Sequence, residues 1–222
     1  MAADLAAQLK RQNDDARERI PAESLTIMDA ATARLDASGL AESGVGVGDR
    51  APGFELPDAS GATVSLSSLL ERGPVVLAFY RGGWCPYCSL ELRALQARLP
   101  EIAAAGATLV AVSPQTPDNS LSTAERLELE FPVLSDVGNV VARSFGLVFT
   151  LPEDLREVYT GFGLDLPAAN GDDSFELPIP ATYVIAASGE VAWRFADPDY
   201  TRRGEPDDVI DALGSLQPAI AS

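Results

Sequence analysis

The chain contains two cysteines, three positions apart in 80-YRGGWCPYCSLELRAL-95, and they are the residues most able to do chemistry. A Cys-x-x-Cys pair has three plausible fates: a dithiol redox centre, half of a metal site, or two buried thiols. The metal site lacks its other half. The chain holds no further cysteine and no histidine, whereas structural zinc takes four nitrogen or sulfur ligands. The missing histidine also excludes Ser-His-Asp and Cys-His nucleophiles. Against two inert thiols stands their setting, after an apolar run and beside Gly82, Gly83 and Pro86.

The run 74-PVVLAFY-80 is apolar and rich in β-branched residues, as in a strand buried on both faces. A helix follows it, with Leu92, Leu95 and Leu99 at helical spacing. The first sulfur then sits at a helix N-terminus, where free N–H groups and the dipole favour a thiolate. The second lies almost one turn on, within reach of a disulfide. Pro86 suits the first helical position, which needs no N–H. Trp84 offers the first sulfur an apolar wall, and Arg81 is the cation nearest to it in sequence.

The elements that must position this motif follow from periodicity. Helices are expected over about 4–19 and 23–37, divided at Ile20-Pro21. The Gly-rich stretch 39–53 reads as a linker, so residues 1–46 form a helical N-terminal extension and 47–222 the main domain. In that domain 62–66 reads as an edge strand and 66–73 as a helical turn. Strands at 107–113 and 132–135 alternate with helices at 120–130 and 138–146, which predicts a central sheet with parallel members flanked by helices. Residues 147–177 are acidic and irregular, an insertion or lid with one short helix near 153–159. A hairpin over 181–195 and a last helix over 205–216 complete the chain.

The chain has 222 residues and a net charge of −17. This disfavours nucleic acid and anionic membranes as partners. No apolar run approaches the ~20 residues of a membrane helix, and the residues after Met1 lack a signal-peptide core. A cytoplasmic protein is expected.

With these residues in view, the sequence resembles the alkyl hydroperoxide reductase and thiol-specific antioxidant family, the peroxiredoxin-like branch of the thioredoxin superfamily. The resemblance is carried in order by 48-GDRAPGFELPDASG-61, 74-PVVLAFYRGGWCPYC-88, 133-VLSDVGNVVARSFGL-147 and 178-PIPATYVIAASGEVAWRF-195. It implies an α/β, thioredoxin-like fold with a central mixed β-sheet. It implies a peroxidase without a prosthetic cofactor, in which Cys85 reduces a hydroperoxide, Cys88 resolves the sulfenic acid, and an external thiol donor such as thioredoxin or a small thiol recycles the disulfide. A homodimer is a family-level expectation.

Several positions depart from that family. Gly82 stands three before Cys85, where peroxiredoxins carry a Thr or Ser hydroxyl, and the usual proline of that loop is missing. Ala78 occupies the place of the buried Asp of many thioredoxins. Pro180 resembles the cis-proline that faces a thioredoxin disulfide. Tyr87 lies between the cysteines, Ser113-Pro114-Gln115 ends the second buried strand, and 199-DYTRR-203 with Tyr200, Arg202 and Arg203 reads as an exposed salt-bridging turn, the alternative being that these residues reach the face of the cysteines. The alternatives to a peroxidase are a thioredoxin-type oxidoreductase acting on protein or small-molecule disulfides, and a redox sensor acting through its N-terminal helices.

Overall fold

The computed structural model describes residues 4–216. The chain opens with α1 (Leu5–Arg19) and α2 (Ala22–Ala37), parted where Ile20 is extended before Pro21. The short α3 (Leu40–Ser43) follows, then the antiparallel pair β1 (Glu55–Pro57) and β2 (Thr63–Ser65) and the single turn α4 (Leu66–Leu70). Next come β3 (Val75–Phe79), α5 (Pro86–Ala97), α6 (Leu99–Ala104), β4 (Thr108–Ser113), α7 (Pro117–Leu127), β5 (Val133–Ser135) and α8 (Val140–Ser144). The acidic region holds β6 (Val148–Thr150), α9 (Glu153–Gly161), α10 (Leu166–Asn170) and β7 (Glu176–Pro178), and the chain continues through β8 (Ala181–Ile185), β9 (Val191–Ala196) and α11 (Pro206–Leu216).

The central sheet has the order β5-β4-β3-β8-β9. β3, β4 and β5 run parallel, whereas β8 is antiparallel to both β3 and β9. All five residues of β3 are buried, and their alternation divides the core. Leu77 and Phe79 meet Leu69, Leu134, Phe145 and Tyr183 on one face. Val76, Ala78 and Tyr80 meet Leu92, Leu95, Ile102 and Val209 on the other, and both cysteines belong to that second face.

The N-terminal helices pack on their own chain. Leu5 and Leu9 of α1 are buried against the α5 side of the sheet, and the amides of Leu5 and Ala6 donate to the Glu205 carboxylate at 3.3 and 2.7 Å. Ala31 of α2 is buried with Leu155, Val158 and Tyr159 of α9. Residues 39–53 are more ordered than a linker. Besides α3, the Val45 and Ala51 amides donate to the carbonyls of Phe145 and Gly189 at 3.0 and 2.9 Å. Backbone bonds hold this stretch, so its apolar pattern carries no trace of them. Region 147–177 likewise contains a second helix, α10, and its ends are tied by the antiparallel pairing of β6 with β7. β6 and β7, of three residues each in an acidic stretch, show no alternation of their own, and no flanking helix pattern marks them as it marks β5.

Candidate active site

The motif loop joins the C-terminal end of β3 to α5. Cys85 is the N-cap of α5 and Pro86 its first residue, so the thiol meets the open amides of the first turn. Two glycines make the approach. Gly82 has φ of +148° and lies so near the indole that a Cβ there would stand 2.3 Å from Trp84 Nε1. At Gly83 a Cβ would stand 2.1 Å from Thr123 Oγ1. The Gly83 amide donates to Gln115 Oε1 at 2.8 Å, and its carbonyl accepts from Arg126 Nη2 at 2.6 Å. Gln115, buried just beyond β4, therefore anchors the loop.

Cys85 and Cys88 are free thiols, both almost wholly buried. Burial alone would push the Cys85 thiol up. It is outweighed by a hydrogen bond from Cys88, by the Arg81 and Arg203 guanidinium charges and by the Cys88 amide, which together lower its pKa to about 5. Cys88 moves the other way, raised well above the usual thiol range by burial and then by its neighbour Cys85. One sulfur is thus a thiolate at neutral pH while the other keeps its proton.

Two buried cations flank the pair. Arg81 donates to the Tyr159 hydroxyl and lies against three rings, its guanidinium carbon 5.1 Å from the centroid of Trp84, 5.6 Å from Tyr159 and 4.6 Å from Tyr200. Arg81 Nε and Trp84 Nε1 are buried without a protein acceptor. Arg203 pairs with Glu91 and donates to Cys88 Sγ at 3.1 Å.

Cys85 opens onto a cavity of about 320 Å³. The cavity lies between α1, α2 and α9, and its apolar wall includes Ile20, Leu25, Met28, Trp84, Tyr159 and Phe162. Tyr87 lines it too, its ring edge-on to Tyr200 at 5.6 Å. Burial, and after it the Cys85 charge, push the Tyr87 phenol up to about 12. Arg81, Tyr159 and Tyr200 also line a second cavity, of about 340 Å³, under α2 and β6.

The structure brings Arg81, Trp84, Pro86 and Tyr87 together around Cys85 and Cys88. Pro180 lies farther along, in the second cavity. Its peptide bond is not the expected cis bond: no cis bond occurs among the described residues. The segment is pinned on both sides, with Pro178 paired to Val148, the Ile179 amide donating to the Leu147 carbonyl at 2.8 Å, and β8 starting at Ala181. The 199–203 turn also corrects the sequence reading. Arg202 is exposed and paired with Asp197, but Arg203 is buried in the site and Tyr200 stacks on Arg81. Sequence reasoning missed Glu91, although Cys88, Glu91, Leu92 and Leu95 are spaced for one helix face. A lone carboxylate on an apolar face was the available signal. Tyr159, distant in sequence, gave none.

A sequence profile of the AhpC/TSA family matches residues 47–194, about two thirds of the chain. The chain belongs to the AhpC/TSA family. Among relatives, chloroplastic peroxiredoxin Q of Triticum aestivum is 32% identical over 137 residues, covering 62% of this chain and 61% of that protein. Peroxiredoxin Bcp of Escherichia coli is 32% identical over 100 residues, covering 45% and 64%. The chain spans less than two thirds of the length of the curated relatives it matches first. The crystal structure of peroxidoxin BcpB from Mycobacterium tuberculosis superposes with a TM-score of 0.62 at 26% identity, over 78% of this chain and 99% of that one. Peroxiredoxin Q of Xanthomonas campestris shares the fold at 19% identity, with a TM-score of 0.55 over 73% of this chain and 90% of that one. The fold is thioredoxin-like, as the sequence implied. Among the described residues no helix is long and apolar enough to cross a membrane, and no group of three potential acidic, Cys or His metal ligands occurs.

Proposed function

We propose that the chain is a thiol-dependent peroxidase of hydrogen peroxide and organic hydroperoxides, with Cys85 as nucleophile and Cys88 as resolving thiol. The observation that carries this reading is the Cys85 thiol, its pKa lowered to about 5, at the foot of an apolar cavity beside a buried arginine. The Cys85 thiolate attacks the distal peroxide oxygen, the O–O bond breaks, and the alkoxide leaves and takes up a proton as the alcohol. The Arg81 guanidinium, which lines the cavity with Cys85, is the cation available to the peroxide in place of the missing Thr hydroxyl. Cys88 then displaces hydroxide from the Cys85 sulfenic acid, giving the disulfide and water. An external thiol, thioredoxin or a small thiol, returns both cysteines to the reduced state.

In this reading residues 1–46 are a helical extension on a thioredoxin-like domain over 47–222. The family match from residue 47 supports that division; residues 1–3 and 217–222 lie outside those described. A cytoplasmic setting belongs to this reading. The apolar wall favours organic hydroperoxides over hydrogen peroxide. A thioredoxin-type exchange with protein disulfides is the second reading, favoured by Cys-x-x-Cys at a helix N-terminus.

The test is addition of cumene hydroperoxide or hydrogen peroxide to the reduced protein with a sulfenic-acid trap. Trapped Cys85 in the Cys88→Ser variant, and no turnover in Cys85→Ser, are expected. Cys85 remaining a thiol while an added protein disulfide is reduced would sink the peroxidase and leave the second reading.

A further inference from the structure

We propose that Arg203 is the catalytic cation of the resolving step, holding the Cys88 sulfur as a thiolate while it attacks Cys85, and that Glu91 is the positioning residue that fixes Arg203 there. The proposal rests on the peroxidase reading for the species Cys88 attacks. It assigns a role to a buried pair that neither the cysteine motif nor the cavity uses.

Every nitrogen of this guanidinium is engaged. Nε donates to Glu91 Oε2, Nη1 to the carbonyls of Tyr200 and Arg202 at 2.8 and 2.6 Å, and Nη2 to Cys88 Sγ at 3.1 Å. Glu91 is held in turn by Thr182 Oγ1, which donates to its Oε1 at 2.9 Å. The arginine and glutamate side chains are 1% and 3% exposed. An ion pair so buried is poor evidence for stability, because desolvation cancels most of the attraction. What sets this pair apart is its third partner, a sulfur that must change charge during turnover.

Resolution forms the Cys88–Cys85 S–S bond and breaks the sulfenic S–O bond. The departing hydroxide and the proton released by Cys88 make water. Cys88 needs help to lose that proton, since its burial and the nearby Cys85 hold the thiol protonated. The charged and titratable groups around it are Arg203 from the turn after β9, Glu91 from α5, Arg81 and Cys85 from the motif loop, and Tyr80 at the end of β3. Arg203 is the cation in hydrogen-bond contact, and a bond from guanidinium to sulfur strengthens as the sulfur becomes anionic. Glu91 adds an opposing charge, its repulsion with the Cys88 thiolate, to the burial and the Cys85 contact that keep Cys88 neutral.

Rapid-quench alkylation with mass spectrometry separates sulfenate formation at Cys85 from disulfide closure. In Arg203→Met/Glu91→Gln, which removes both charges together, the sulfenate still forms, more slowly because Cys85 loses the Arg203 charge while keeping the Cys88 hydrogen bond and Arg81, and closure is timed from the sulfenate already formed. Disulfide closure is expected to slow about 10- to 100-fold, with its pH midpoint shifted upward. In Glu91→Gln alone the cation stays and the opposing carboxylate is gone, so the midpoint shifts downward. Arg203→Lys recovers part of the closing rate. Closure at the wild-type rate in the double variant, or midpoint shifts of the same sign in both variants, overturns the proposal. Should circular dichroism show the double variant unfolded, Glu91→Gln and Arg203→Lys decide it by the same signs. If Cys88→Ser, which lacks the resolving thiol, traps no sulfenate, the peroxidase reading fails separately. Arg203 is then read in dithiothreitol reduction of the preformed disulfide, where Cys88 leaves as thiolate. Slower reduction in the double variant supports the role, and an unchanged rate overturns it.

Discussion

At the scale of single residues, reactivity is set by which of two adjacent sulfurs carries charge. Bromobimane labelling of Cys85 should rise as pH increases through about 5 and then level off. The sign follows from deprotonation: the thiolate fraction grows with pH, and a lowered pKa places that growth in mild acid. In Cys88→Ala the labelling midpoint should move up, because the Cys88 hydrogen bond that favours the thiolate is lost. Arg81→Met should raise it too, by removing a buried positive charge. A midpoint unmoved in both variants would show that neither neighbour tunes the sulfur. The thiol pair itself was legible from its spacing. The opposed behaviour of its members was not, because it depends on the burial of both sulfurs and on the hydrogen bond between them, which favours charge on Cys85 and opposes it on Cys88.

At the scale of elements, the motif loop works by close approach, and close approach is why it contains two glycines. Gly83→Ala should cost about 1–3 kcal/mol in urea unfolding, the usual penalty of overpacking. The methyl would collide with Thr123 Oγ1 and Cγ2, at 2.1 and 3.0 Å from the ideal Cβ. Adding Thr123→Ala should recover most of that loss, and a double variant no more stable than the single would refute the steric account. Gln115→Leu should slow sulfenate formation as well as destabilise the fold, since it strips the acceptor from the Gly83 amide. The strands and helices around this loop were readable because buried strands and amphipathic helices leave periodic patterns. β6 and β7, α3, and the backbone ties of 39–53 left none, being short or held by peptide groups.

At the scale of the whole molecule, α1 and α2 cover the thiols. The clasp between them is the Arg17–Asp29 ion pair at 2.8 Å, with both side chains about half exposed. Such pairs contribute roughly 0–1 kcal/mol. Leu5 and Leu9 are buried, and each Leu→Ala there should cost about 2–5 kcal/mol. The cover is therefore anchored at the start of α1 and weakly latched near the α1–α2 turn, which leaves a route to Cys85. Met28→Trp would fill part of the cavity wall. It should lower kcat/KM for cumene hydroperoxide about tenfold, a loss of ~1.4 kcal/mol, and lower that for hydrogen peroxide far less. Equal losses for both peroxides would show that the cavity does not select between them.

By itself the sequence determined the dithiol, the strand and helix that carry it, the exclusion of histidine chemistry and the family of the fold. Each is a local matter of residue type, spacing or period. Only the tertiary structure decided that Arg203 and Glu91 meet at Cys88, that Tyr159 and Tyr200 enclose Arg81, that Pro180 is trans, and that the N-terminal helices roof the site. These are contacts between segments far apart in the chain. A buried arginine and an exposed one, such as Arg203 beside Arg202, differ in partners that no neighbouring residue reveals.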